Sequence, residues 1–145
     1  MYTFIPAAYI FTHQYLNTMQ QGIQSLHATT EILATHPAPS KGYDTFMNWA
    51  TVDKTVVILN AGSGTNFDSN RISLERSAKH YKLPYAEFSE PDINGMITAF
   101  GFILNSETID DINADQKMLC KIYGENYISD TSTIFGIVSS LKVAK

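Results

Sequence analysis

Lys54-Thr55-Val56-Val57-Ile58-Leu59-Asn60, followed at once by Ala61-Gly62-Ser63-Gly64, is the stretch that decides the class of this fold. A short unbroken apolar run rich in β-branched residues reads as a buried strand, and the glycines behind it turn the chain. Beyond the turn, Asp68 to Tyr81 reads as a helix, with Leu74, Ala78 and Tyr81 at steps of four and three. A strand, a glycine turn and a helix in succession point to a sheet covered by helices.

The same alternation extends in both directions. Upstream, Ala7-Ala8-Tyr9-Ile10-Phe11-Thr12 suits a first buried strand. From Leu16 the apolar positions fall at Leu16, Met19, Ile23, Leu26, Thr30 and Leu33, which share one helix face and are expected to meet the core. Asn17 with Gln20 three residues on forms a cap-like start, and His36-Pro37-Ala38-Pro39-Ser40 ends the helix near Ala34 or Thr35. Tyr43, Phe46, Met47 and Ala50 suggest a shorter helix around Trp49. Downstream, Tyr85–Phe88 and Thr98–Leu104 read as two more strands, separated by turn signals at Pro91 and Asn94-Gly95. Helices are expected at Ala114–Tyr123, stopped by Gly124, and at Thr131–Val143, opened by Ser129 or Asp130. The predicted architecture is α/β: a mixed four-stranded β-sheet flanked by helices on both faces, with an extra C-terminal helical segment. Residues 1–145 form one domain, divided into a core over 1–105 and a helical extension over 106–145.

Composition narrows the function classes. With 44% apolar and 17% charged residues and a net charge of -4, the chain is neither disordered nor broadly basic. Its one cysteine, Cys120, cannot form an internal disulfide and fits a cytoplasmic location. Residues 1–40 contain no Lys or Arg and a single acid, Glu31, while residues 83–145 hold four basic against nine acidic residues. The uncharged start lacks the cationic region of an export signal and is broken by Pro6 and His13, so it reads as core. No run is long enough to span a bilayer, and no membrane partner is expected.

Gln20, Gln24 and His27 lie three or four apart, so one helix stripe gathers two amides and an imidazole. Such a row can hold a substrate by hydrogen bonds, with His27 as general acid or base; a hydrogen-bonded core histidine is the plainer reading. The turn Asn60-Ala61-Gly62-Ser63-Gly64-Thr65-Asn66 is either a connecting loop or a cradle for a phosphate. Arg76 and Lys79 share a helix face and are candidates for RNA phosphate contacts, or else part of a solvated surface. His13, His27, His36 and His80 are scattered and no metal site or cofactor is expected. Gly-x-Ser-x-Gly, the serine-hydrolase elbow, is absent. Apolar residues of the last forty positions, among them Met118, Ile122, Ile137, Val138 and Leu141, either pack on the domain or form a homodimer interface.

Gln24-x-x-His27-Ala28 on the first helix resembles type 2 peptidyl-tRNA hydrolases, whose first helix carries a similar Ala-Gln-x-x-His-Ala signature. Trp49 ahead of the Lys-Thr-Val-Val-Ile-Leu strand is similar to that family's second strand and its preceding helix. Glu87-Phe88-Ser89-Glu90-Pro91-Asp92 leading to Thr98-Ala99-Phe100-Gly101 resembles its late acidic turn and final strand. The likeness covers about residues 7–105 and extends to short, divergent members carried by bacteriophages. It implies metal-free hydrolysis of the ester between a peptide and tRNA, in the cytoplasm, or the host cytoplasm for a phage protein. It also implies His27, Asp92 and Thr98 near the reaction centre, with Glu90 the alternative acid. Gln20 and Gln24, joined by Asn60 and Asn94, would bind substrate. Where the family carries a lysine, four residues before Gln24, this chain has Gln20, and no lysine precedes Lys41. The other expectation is a non-catalytic module on the same fold, binding a host protein, RNA or a nucleotide-like ligand.

Overall fold

In the computed structural model, which describes residues 3–124, 137–138 and 141–143, the sheet is built around the first strand. β1 (Ala7–Thr12) is buried along its whole length. It pairs in parallel with β2 (Val56–Asn60) and antiparallel with β4 (Met96–Leu104). β3 (Tyr85–Glu90) pairs antiparallel with β4. These are the expected strands of a mixed sheet, and a two-residue strand, β5 (Lys142–Val143), adds to the free side of β2. The order is β3-β4-β1-β2-β5.

Strand alternation divides the core between the sheet's faces. Ala8 and Ile10 of β1 pack with Ala28 and Ile32 of α1 (Thr18–Thr35) and Phe46 of α2 (Lys41–Asn48). Tyr9 and Phe11 point the other way, toward Phe67, Leu74 and Ala78 of α3 (Gly64–His80) and Ile109 and Ile112 of α4 (Ser106–Tyr123). Helices therefore cover both faces, as predicted. At Gly101 of β4 a Cβ would overlap Ile10 Cδ1 of the neighbouring β1 and stand 3.6 Å from Ile32 Cδ1 of α1, so the glycine leaves room for the side chain of Ile10 beneath the helix.

Four sequence expectations change. β2 was expected to be a buried strand, yet of its residues only Leu59 is buried and Val56 is 45% exposed. Its apolar run marks a strand, but among the described residues β2 has only the two-residue β5 on its outer side. On α1 the buried residues are Gln21, Gln24, Ser25, Ala28 and Ile32, while Met19 and Leu26 of the apolar stripe are 76% and 67% exposed. The helix presents to the sheet the side whose small residues allow close approach and whose amides find partners. The third change is at α4, which begins at Ser106 rather than Ala114: the Asn105 side chain accepts the Thr108 N–H at 2.8 Å. Glu107 lies in its first turn, where a helix N-terminus favours negative charge. Last, the predicted helix over Thr131–Val143 ends as strand, because Lys142 and Val143 pair with Asn60 and Leu59. Residues 137–138 are helical, and the rest of that span before Leu141 lies outside the described residues. Ile137 and Val138 are in the core cluster with Ile109 and Ile112, so this part of the extension packs on the domain.

Candidate active site

The C-terminal ends of β1, β2 and β3, the start of β4 and the N-terminal half of α1 meet at one end of the sheet, the position where open α/β sheets bind ligands. Asn17 and Gln20 start α1 with a reciprocal capping box, the Asn17 side chain accepting the Gln20 N–H and the Gln20 side chain accepting the Asn17 N–H. This start sets the rotation that carries Gln21, Gln24 and Ser25 inward.

Gln24 is the centre of the polar row. Its Nε2 donates to Glu90 Oε2 at 2.9 Å, and its Oε1 accepts the Thr98 hydroxyl at 3.0 Å. Glu90 Oε1 also accepts the Asp92 N–H at 3.4 Å. Thr98 reaches α1 because of a β-bulge. In the β3–β4 ladder Phe88 pairs with Ala99 and Ser89 with Ile97, which leaves Thr98 as the extra residue. A bulge re-aims the side chain at its position, and here it delivers a fully buried hydroxyl to Gln24. The neighbouring amide, Gln21, accepts the Thr12 hydroxyl at 3.2 Å and donates to the Leu16 carbonyl at 2.7 Å. Ser25 donates to the Gln21 carbonyl at 2.6 Å. Each inward polar group is partnered, which offsets the cost of its burial.

His27 borders this row from the exposed side of α1. Its ring stacks on Phe88 of β3, with centroids 4.5 Å apart and planes inclined by 10°. An imidazole held flat by a strand residue, yet open to solvent, can transfer a proton to or from a bound molecule.

The other expected residues are placed as follows. Gln20 is exposed and its amide oxygen is engaged in the helix cap. Asp92 is exposed in a short turn over Pro91–Ile93, so the carboxylate that touches Gln24 is Glu90. Asn60 ends β2 with its Oδ1 accepting the Gly62 N–H at 2.9 Å, a loop-closing contact. Asn94 is exposed with φ of 62° and closes the turn before β4. Arg76 and Lys79 belong to α3, across the sheet from α1, and Lys79 lies 3.3 Å from Glu75. They are not brought to the row. Lys54 precedes β2, at the end of the sheet where β1 begins, and Lys41 opens α2 beyond the C-terminus of α1. Both lie away from Gln24 and His27.

One neighbour of the row escaped the sequence reading. His13, directly after β1, is 4% exposed between the rings of Tyr15 and Phe67. Its backbone N–H donates to the Thr98 carbonyl at 3.0 Å. Its Nδ1 accepts the Tyr15 N–H at 3.3 Å, so the ring proton sits on Nε2. Burial holds this imidazole below its ordinary pKa, partly opposed by the charge of Asp68. The available signal was position, since a residue following a central parallel strand stands at the ligand end of the sheet.

Among the described residues no three His, Cys, Asp or Glu side chains are grouped as metal ligands would be, and no helix is long and apolar enough to cross a membrane. Compared with known proteins, the chain matches no family model, and a search of curated proteins finds no match.

Proposed function

We propose that the protein hydrolyses the ester between a peptide and the 3′ end of tRNA, with Glu90, Gln24, Thr98 and His27 forming its reaction centre. The observation supporting this reading is the hydrogen-bonded row: the glutamine of the helix signature joins a threonine of β4 and the acid that ends β3, with the signature histidine beside them. Gln24 has one Nε2 hydrogen beyond its bond to Glu90 and directs it at the ester carbonyl. Water attacks the carbonyl carbon while His27 takes its proton. The bond to the 3′ oxygen then breaks and His27 returns the proton there, leaving a peptide acid and a free tRNA 3′-hydroxyl.

The position expected to carry a lysine is Gln20, which is engaged in the helix cap. Loss of a cation that stabilises the developing oxyanion costs on the order of 10²–10³ in rate, so slow turnover is expected. The test is release of peptide from purified peptidyl-tRNA. Wild type should exceed a heat-inactivated control, His27→Ala should be about 10²-fold slower, and Gln20→Lys should be faster than wild type. No release by wild type overturns the catalytic reading. The second reading, a non-catalytic binding module, is favoured by the engagement of Gln20. It requires salt-sensitive tRNA binding or capture of another nucleotide-like ligand without hydrolysis.

A further inference from the structure

α1 turns toward solvent the side that an amphipathic helix ordinarily buries. Met19, Ile23, Leu26, Thr30 and Leu33 follow at alternating steps of four and three along one face of the helix, with Leu16 just ahead of it, a spacing that a second helix can match. Met19 is 76%, Ile23 47% and Leu26 67% exposed, and Tyr15, 79% exposed, extends the strip before the helix begins. We propose that this seam is a dimer interface, at which α1 of one molecule packs against α1 of a second copy.

The occupant follows from spacing and charge. An apolar stripe along one helix face suits a second helix laid along it, which inserts its own side chains between those of the stripe. In a two-fold contact a strip meets itself, so any charge it carried would face its own sign. This strip carries none: the chain has no Lys or Arg before Lys41, and Glu31, its one acid there, is half-buried off the seam. The overall charge of -4 opposes self-association elsewhere on the surface. Among the described helices α4 also exposes large apolar side chains, Met118 and Ile122, but Asp111, Asp115, Lys117 and Lys121 surround them. Beside Ile23, Gly22 has no heavy atom within 4 Å of where a Cβ would stand, which leaves room for a helix to approach.

The helical part of the seam, from Met19 to Leu33, is about 21 Å long at the rise of an α-helix. It is at the small end of stable interfaces, so dissociation is expected on the order of tens of micromolar. His27 follows Leu26 at the edge of the seam, and a second α1 would therefore form one wall of the polar row.

Sedimentation of the full chain over roughly 1 to 500 micromolar tests the proposal. The wild-type mass should rise from 16.2 kDa toward twice that value. Ile23→Lys with Leu26→Lys should stay monomeric with an unchanged circular dichroism spectrum, as should Met19→Glu, a second variant in case the first fails to fold. Met118→Lys with Ile122→Lys should dimerise like wild type. A wild-type chain that remains monomeric throughout overturns the proposal, even if it captures an apolar peptide. So does undiminished dimerisation of the folded seam variants.

Discussion

One side of α1 meets the sheet through Gln21, Gln24, Ser25, Ala28 and Ile32, while the other shows Met19, Ile23 and Leu26 to solvent. By composition alone the second side is the better core. The difference arises from what each side meets. At the end of the sheet, Thr12, Thr98 and Glu90 offer hydrogen-bond partners that the amides satisfy, and further along the helix Ala28 and Ile32 pack on Ala8 and Ile10. Apolar burial is non-directional, whereas buried amides require particular neighbours, so a helix can rotate its polar row inward when the partners are in place. The apolar side is then left for a different contact.

This comparison can be broken most severely at its inward apolar anchor. Ile32 is fully buried between α1 and the sheet, and Ile32→Ala should cost about 2–5 kcal/mol in denaturant unfolding. A loss below about 0.5 kcal/mol would mean that this side of α1 is not the packed one. Next is the polar row. Gln24→Leu leaves the Thr98 hydroxyl and the Glu90 carboxylate without their shared partner, with an expected loss of about 1–3 kcal/mol. A stability gain would show that apolar packing is preferred at that position.

A smaller effect concerns pH at the same end of the sheet. Burial lowers the pKa of His13 from its ordinary 6.5, so the unfolded chain takes up a proton that the folded chain resists. Stability from this source is fully present above about pH 6.5 and declines as pH falls below it. The slope of unfolding free energy against pH between about 5 and 7 should be shallower in His13→Asn than in wild type. Equal slopes would contradict the buried, neutral imidazole. The smallest effect belongs to the outward side, where Leu26→Gln should change monomer stability by no more than about 0.5 kcal/mol. A loss comparable to Ile32→Ala would return Leu26 to the core.

Much of this fold was legible because it depends on local chemistry. The β-branched run before Asn60 marks a strand, Asn17 with Gln20 marks the start of α1, and Gly124 marks the end of α4. The inward side of α1 was not legible, because heptad spacing gives a face but not the surface it faces. Gln24, His27 and Thr98 were legible as candidates, the first two from helix spacing and all three from the family resemblance. Their geometry was not, since it depends on a bulge that appears only when β3 and β4 are paired. The choice of Glu90 over Asp92 likewise follows from the turn over Pro91–Ile93, in which Asp92 is exposed while Glu90, just before it, bonds to Gln24.

The central claim is that the inward polar row of α1 does chemistry as well as packing. Single-turnover release of peptide from peptidyl-tRNA, comparing wild type with a folded Gln24→Leu variant at equal dimer fraction, tests it most directly. The account predicts measurable release by wild type and a fall of about 10²-fold or more in the variant. Equal rates in the two proteins, or no release by wild type above the heat-inactivated control, would contradict it.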